Sequence, residues 1–215
     1  MTSSGRPVVA AFDVDRTLTT RDCVVPFLRR VAGTVPFATR MTLASVRILP
    51  AVARGDRNRA KQDATRIVFT GRRARDVDAA GQQFAELVVR SWLRPDTVAR
   101  LRWHQESGHE VVLVSASFTT YLLPLARHLG VDAVLATELA VDDAGLLTGL
   151  LVGANCRGIE KVQRLHEWLR ERHGGRANVE LWAYGDSPGD RELLADADHP
   201  VWVRGQLPAI PEVIR

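Results

Sequence analysis

The chain has 215 residues, 46% of them hydrophobic, which fits one large core, or one core carrying an inserted unit, and excludes a disordered or low-complexity chain. The net charge of +4 hides an asymmetry: residues 21–102 hold 16 Arg and one Lys against 7 acids, a net +10, so the remainder carries −6. A basic module suited to anions is joined to an acidic one suited to a cation.

The N-terminal apolar run spans about five residues, too short for a signal sequence or a membrane span, so a cytoplasmic location is expected. "VVAAFDVD" (8–15) reads as a buried strand with an abrupt polar end. Helical spacing then dominates in "DCVVPFLRRVAG" (22–33), "FATRMTLASVRILPAVARG" (37–55), "NRAKQDATRIVFTG" (58–71) and "ARDVDAAGQQFAELVVRSWL" (74–93), a helical bundle coincident with the basic segment. From residue 95 helices and strands alternate. A helix at 95–108 leads to a strand at 109–117, and a helix at 119–130 to a strand at 131–137. A hairpin at 142–153 turns at Asp142–Gly145, a helix covers 158–174, and strands follow at 179–187 and 200–203. This alternation predicts an α/β protein: a doubly wound, Rossmann-like core with a parallel sheet, residues 1–20 and 95–215, with an inserted all-α cap, residues 21–94. Ligands are then expected beyond the carboxyl ends of the strands.

Polar residues gather at those ends. Asp13 and Asp15 close the first strand, Ser115 the second and Asp186 the fourth, while Lys161 sits early in the helix before the fourth. Each alone is a common turn or cap residue. Together, and including one of only two lysines in the chain, they describe a site. Carboxylates held close repel unless a proton or a metal intervenes, and a hard divalent cation shared with a phosphate resolves the conflict. The lysine and the serine then fit as donors to phosphoryl oxygens.

In these motifs the chain resembles the haloacid-dehalogenase superfamily, in its phosphoserine-phosphatase-like branch with a helical cap. They are "DVDRT" (13–17), "VVLVS" (111–115), Lys161 in "NCRGIEKV", and "GDSPGD" (185–190), and the resemblance runs from about residue 8 to 203. It implies a phosphomonoester hydrolase. Asp13 would be the nucleophile that becomes an aspartyl-phosphate. Asp15 would protonate the leaving oxygen and then deprotonate water. Mg2+ would be held by Asp13, the Asp15 carbonyl and Asp186, with Asp190 helping directly or through water. Ser115, with Ala116 beside it, and Lys161 would hold the phosphoryl group. Thr17 would orient the loop, and Gly185 would let the fourth loop pass close to the metal.

The match departs in places. Arg16 stands where the family places a small residue, and a β-carbon there adds strain if φ is positive. Its guanidinium could point to solvent, pair with an anionic substrate group, or impair turnover. "SASF" (115–118) and "GDSPGD" replace the glycine-richer stretches of phosphoserine phosphatases, and Asp22 stands where a glutamate contacts the substrate amine. These changes favour the branch's other hydrolases, acting on lysophospholipids or small amine phosphates, over phosphoserine itself. In the cap, Arg66 is the chosen substrate contact and Lys61 its rival; the bland reading of both is a solvated helix face.

A small phosphorylated metabolite is thus the expected partner. Nucleic acid is not expected, because the arginines follow helical spacing without interleaved aromatics. The mixed apolar and arginine stretch at 35–55 suits a bundle core and, less well, an anionic membrane surface. Cys23 and Cys156 share no metal-ligand spacing and read as reduced thiols. The six histidines show no ligand spacing, and Trp103, Trp168 and Trp182 read as packing residues. Two further function classes remain compatible with the motifs: a phosphotransferase, and a low-turnover phosphate-binding regulator.

Overall fold

The computed structural model describes residues 5–33 and 57–207. Six strands form one sheet: β1 (Val8–Phe12), β2 (Glu110–Phe118), β3 (Ala133–Val141), β4 (Leu147–Val152), β5 (Glu180–Gly185) and β6 (His199–Trp202), in the order β4-β3-β2-β1-β5-β6. All neighbours are parallel except β3 and β4. The described helices are α1 (Val24–Ala32), α2 (Arg57–Phe69), α3 (Ala74–Ser91), α4 (Pro95–Glu106), α5 (Thr119–Leu129), α6 (Ile159–His173) and α7 (Arg191–Asp196).

The two-residue period of the strands sorts their side chains into two cores. Ala10 and Phe12 of β1, Val111 and Leu113 of β2, and Tyr184 of β5 face one cluster, which α4 and α5 cover through Leu101, Leu122 and Leu125. Val9 and Ala11, Val112 and Val114, and Leu181 and Ala183 face the other, which α6 and α7 cover through Leu165, Leu169, Leu193 and Leu194. Burial on both faces explains why these strands read as continuous apolar runs. The chain winds outward from β1 through β2 and β3, then crosses to β5 on the opposite side. That reversal makes the crevice beyond β1 and β5 the place where a doubly wound sheet binds ligands.

The helices between β1 and α4 share the first core. Phe27 of α1, Phe69 of α2 and Phe84 of α3 join Phe118 and Tyr121 in one aromatic cluster, with ring centroids 4.7 Å apart for Phe27–Tyr121 and 5.4 Å for Phe69–Phe118. Chain entry and exit lie side by side, since Thr19 bridges Leu93 and the Thr20 N–H donates to the Trp92 carbonyl at 2.7 Å.

Two expectations need adjustment, one element is new, and one expectation is untouched. The hairpin does turn at Asp142–Gly145, but its first arm is β3 itself, which runs on to Val141 and takes β4 as an antiparallel edge. Ser115 is not the end of its strand: β2 continues to Phe118, with a register irregularity between the two. The helix α7 was not anticipated, because six residues are too few to show a helical period. The proposed helix at 37–55, and with it the stretch considered for membrane contact, lies outside the described residues. Among the described residues no helix is long and apolar enough to cross a membrane.

Candidate active site

β1 stops at Phe12 because the chain must turn, and it delivers Asp13 to the carboxyl edge of the sheet. The Asp13 N–H still donates to the Tyr184 carbonyl of β5 at 2.9 Å, which fixes the start of the loop against the strand that delivers Asp186. Lys161, in the first turn of α6, reaches across to donate to Asp13 Oδ1 and Asp190 Oδ1, each at 2.6 Å, and is 1% exposed. Asp190 Oδ2 accepts from the Ser187 N–H at 3.0 Å and its hydroxyl at 2.8 Å, so both Asp190 oxygens are engaged. Gly185 is what permits this: a β-carbon there would sit 2.5 Å from the Asp190 β-carbon.

Carboxylate oxygens of Asp13, Asp186 and Asp190 lie within 4.8 Å of one another. Burial pushes the Asp13 carboxyl well above the ordinary carboxylate range; Lys161 opposes that push, while Asp190 and Asp15 add to it. Asp186 is raised by burial and by Asp190. Burial acts the same way on Asp190, but the Lys161 ammonium and the Ser187 donors outweigh it and hold that group below its usual value. Burial would lower Lys161, yet the two carboxylates hold it above the ordinary lysine range. One ammonium among three carboxylates leaves an excess of negative charge in a place that disfavours it. Asp13 Oδ2 and the Asp186 carboxylate retain open lone pairs, so these residues fit a hard divalent cation, with Asp190 beside them.

Asp15 is held differently. Its Oδ1 accepts from the Cys23 N–H at 2.9 Å, and its Oδ2 accepts from the Ser117 hydroxyl at 2.6 Å. Burial raises this carboxyl, and the nearby Asp22 adds to the effect. Ser117 went unnoticed in the sequence, although residues i and i+2 of a strand share a face and Ser115 had been singled out. Ser115 is fully buried, accepts from the Ser117 N–H at 3.1 Å, and does not line the cavity.

The cavity itself is about 180 Å³ and is lined by Asp13, Asp15, Asp186 and Lys161, with Ala116, Asp22, Arg16 and Arg157 at its walls. Arg16 is the only described non-glycine residue with positive φ, at 60°, so the anticipated strain is present. Arg157 was not singled out in the sequence; its guanidinium lies against Gly189, where a β-carbon would come within 2.9 Å of it. Asp22 spends its Oδ1 on the Val24 and Val25 N–H groups at 3.0 and 3.3 Å, capping α1 while still facing the cavity. Thr17 is buried, with its hydroxyl 3.5 Å from Asp186 Oδ1. A roomier cavity of about 420 Å³, between α3, α5 and the hairpin, contains none of the motif residues.

The two cap candidates, Arg66 and Lys61, are placed on different faces of α2. Arg66 is exposed and packs its backbone beside Gly149 of β4, away from the cavity. Lys61, on the other face of α2, points at the core: its Nζ donates to the Ala116 carbonyl and, at 2.7 Å, to Asn155 Oδ1. Burial brings this amine down to about 7, against the opposing pull of Asp15.

A lysine-bridged carboxylate site at the switch point of a doubly wound sheet defines a hydrolase-type centre. The family model of the haloacid dehalogenase-like hydrolases matches residues 10–195, and the chain belongs to that family. Protein CicA of Caulobacter vibrioides is 38% identical over 196 residues, covering 89% of this chain and 84% of the relative. A phosphoserine phosphatase of Mycobacterium tuberculosis is 28% identical over 193 residues, covering 86% and 61%. Among solved structures, a Bordetella pertussis protein of unknown function superposes with a TM-score of 0.75 at 24% identity, covering 89% of this chain and 87% of that one. A phospho-aspartyl intermediate analogue of phosphoserine phosphatase superposes with a TM-score of 0.61 at 18% identity, covering 89% and 84%. Both likenesses concern the fold.

Proposed function

We propose that this protein is a Mg2+-dependent phosphomonoesterase that forms an aspartyl-phosphate on Asp13 and acts on a small anionic metabolite in the cytoplasm. The observation that carries this reading is the pair of differently held aspartates on one cavity. Burial lifts both, but Asp13 is bridged by the Lys161 ammonium, whereas Asp15 is surrounded by neutral donors. An ammonium on one carboxyl group and neutral donors on the other fit a nucleophile and an acid, once a bound cation keeps the first ionised.

In the first step an Asp13 oxygen bonds to phosphorus as the ester P–O bond breaks, and the leaving oxygen takes the proton of Asp15. The alcohol departs, leaving an acyl phosphate on Asp13 and an ionised Asp15. In the second, water attacks phosphorus while giving a proton to Asp15, and the P–O bond to Asp13 breaks, returning both carboxyl groups to their starting forms. Lys161 stabilises charge on the phosphoryl oxygens. Mg2+, held by Asp13, Asp186 and the Asp15 carbonyl, would neutralise negative charge and keep Asp13 ionised.

Residues 21–94 act as the cap in this reading, joined to the core where Thr19 bridges Leu93. Arg16, whose charge also acts on Asp186, and Arg157 both line the cavity, which supports a leaving group that carries its own anionic substituent. The test is phosphate release from a panel including phosphoserine, histidinol phosphate, phosphoethanolamine, lysophosphatidate and nucleoside monophosphates, with Mg2+ or EDTA. Metal-dependent release that Asp13→Asn abolishes supports the reading. A Mg2+-loaded protein that releases phosphate from none of them overturns it.

A further inference from the structure

Asp15 is the group that must meet the leaving oxygen, and the side chains behind it are arranged to aim it. Ser117 donates its hydroxyl to Asp15 Oδ2 at 2.6 Å, and the Tyr121 hydroxyl donates to Ser117 Oγ, also at 2.6 Å. A serine hydroxyl has one proton and two lone pairs, so a donor arriving from Tyr121 leaves that proton one acceptor, the aspartate. Both hydroxyls are fully buried, so water does not compete for them. Together with the Cys23 N–H on Oδ1, this pins the carboxyl group at both oxygens and leaves one lone pair on each for the cavity. Tyr121 is itself fixed, since its ring sits 4.7 Å from Phe27 and 5.2 Å from Phe84 in the aromatic cluster shared with the helices of the cap.

We propose that Ser117 and Tyr121 are positioning residues for the leaving-group step: the chain Tyr121–Ser117–Asp15 orients the carboxyl group that hands its proton to the departing oxygen. The proposal rests on the phosphomonoesterase reading above. Its chemistry is the first step already described, with the proton moving from Asp15 to the leaving oxygen as the P–O bond breaks. Ser117 and Tyr121 keep their own protons throughout. A misaimed acid costs most where the leaving group most needs its proton. An alkoxide needs it badly, and p-nitrophenolate hardly at all.

The experiment compares kcat and KM for wild type, Ser117→Ala, Ser117→Thr and Tyr121→Phe on p-nitrophenyl phosphate and on an alkyl phosphate. The expected result is a fall in kcat for Ser117→Ala that is larger on the alkyl ester than on p-nitrophenyl phosphate by roughly tenfold or more, with KM nearly constant. Ser117→Thr, which keeps the hydroxyl, restores the ratio, and Tyr121→Phe shifts it in the same direction by less. Equal losses on the two esters, or none, would overturn the proposal, because a merely structural serine treats both alike. Should Ser117→Ala fail to fold, Tyr121→Phe reads the same ratio with the ring packing intact. A wild type that hydrolyses neither ester nor any of the panel removes the phosphomonoesterase reading and this proposal with it. Wild-type turnover with an unchanged ratio in the variants removes only this proposal.

Discussion

Lys61 and Asn155 meet across the boundary between the inserted helices and the sheet, Nζ to Oδ1 at 2.7 Å, while Asn155 Nδ2 donates back to Asn58 Oδ1 at 2.8 Å. The same lysine donates to the carbonyl of Ala116, which lines the catalytic cavity. The lysine therefore ties α2 to the last residues of β2 at the edge of the cavity, and it does so with an amine that burial brings from 10.5 to about 7.

The first prediction concerns that amine. A neutral amine has two N–H donors for two acceptors, Ala116 O and Asn155 Oδ1, so the contact survives deprotonation. Between pH 7 and 10.5 the unfolded chain holds a proton that the folded chain lacks, so stability rises with pH in that window by about 1.4 kcal/mol per unit. Below pH 7 both states are protonated and this contribution is flat. Denaturant unfolding of wild type and Lys61→Met at pH 7 and 9.5 checks it. The gap between the two proteins should shift toward wild type as pH rises, and a pH-independent gap would refute the assignment.

Arg16 carries the second. A non-glycine residue at φ 60° stores strain of about 1 kcal/mol, and Arg16→Gly should recover a similar amount in an unfolding titration. If the cavity arginines read an anionic substituent, Arg16→Gly and Arg157→Gln should each raise KM roughly tenfold for phosphate esters whose leaving group carries a carboxylate or phosphate, equivalent to about 1.4 kcal/mol. Esters with neutral leaving groups should be affected much less. Matched KM measurements on two such esters decide it, and equal changes on both would return Arg16 to the role of a strained but neutral residue.

How much of this was readable in advance differs by residue. Asp13, Asp15 and Asp186 were legible because a buried strand cannot keep a carboxylate inside it, so the apolar run itself marks its own end. Ser117 was legible in principle, two residues from Ser115 on the same strand. Lys61 was legible too: with Thr65 and Val68 it marks one face of α2 at steps of four and three, and both of those residues are buried. Arg66 lies five residues from Lys61, roughly 140° around the helix, so the two could not both face the cavity. Arg157 was not legible, because it sits in an irregular segment where no period assigns a direction.

A third prediction follows from helix packing. Gly81 of α3 lies where a β-carbon would run into the Thr120 carbonyl and, at 2.9 Å, the Thr120 Cγ2 at the start of α5. The backbone at a helix start cannot give way as a flexible side chain can, so Gly81→Ala should cost about 1–3 kcal/mol despite alanine's better helix propensity. In a chain of this size that is a fall in Tm of roughly 2–12 °C. A rise in Tm would show that α3 and α5 can separate freely.

The last prediction lies on the first core, away from the cavity. His104 is fully buried, with Nε2 2.8 Å from the Tyr184 hydroxyl and Nδ1 2.8 Å from Nδ1 of His109. Two facing ring nitrogens at that distance require one donor and one acceptor, so only one of the pair can carry a proton there. Burial lowers His104 from 6.5 to about 3, and the charges of a protonated His109 and of Arg100 push it the same way. A folded-state value below the unfolded one means stability is present above pH 6.5 and drains as pH falls toward 3, because only the unfolded chain takes up the proton. The slope is about 1.4 kcal/mol per pH unit for this one group. His104→Gln keeps a donor and an acceptor but cannot titrate, so its unfolding free energy should fall less than that of wild type between pH 7 and 4.5. Parallel curves for the two proteins over that range would mean that His104 is protonated in the folded state and that the His104–His109 contact is broken in acid without loss of the fold.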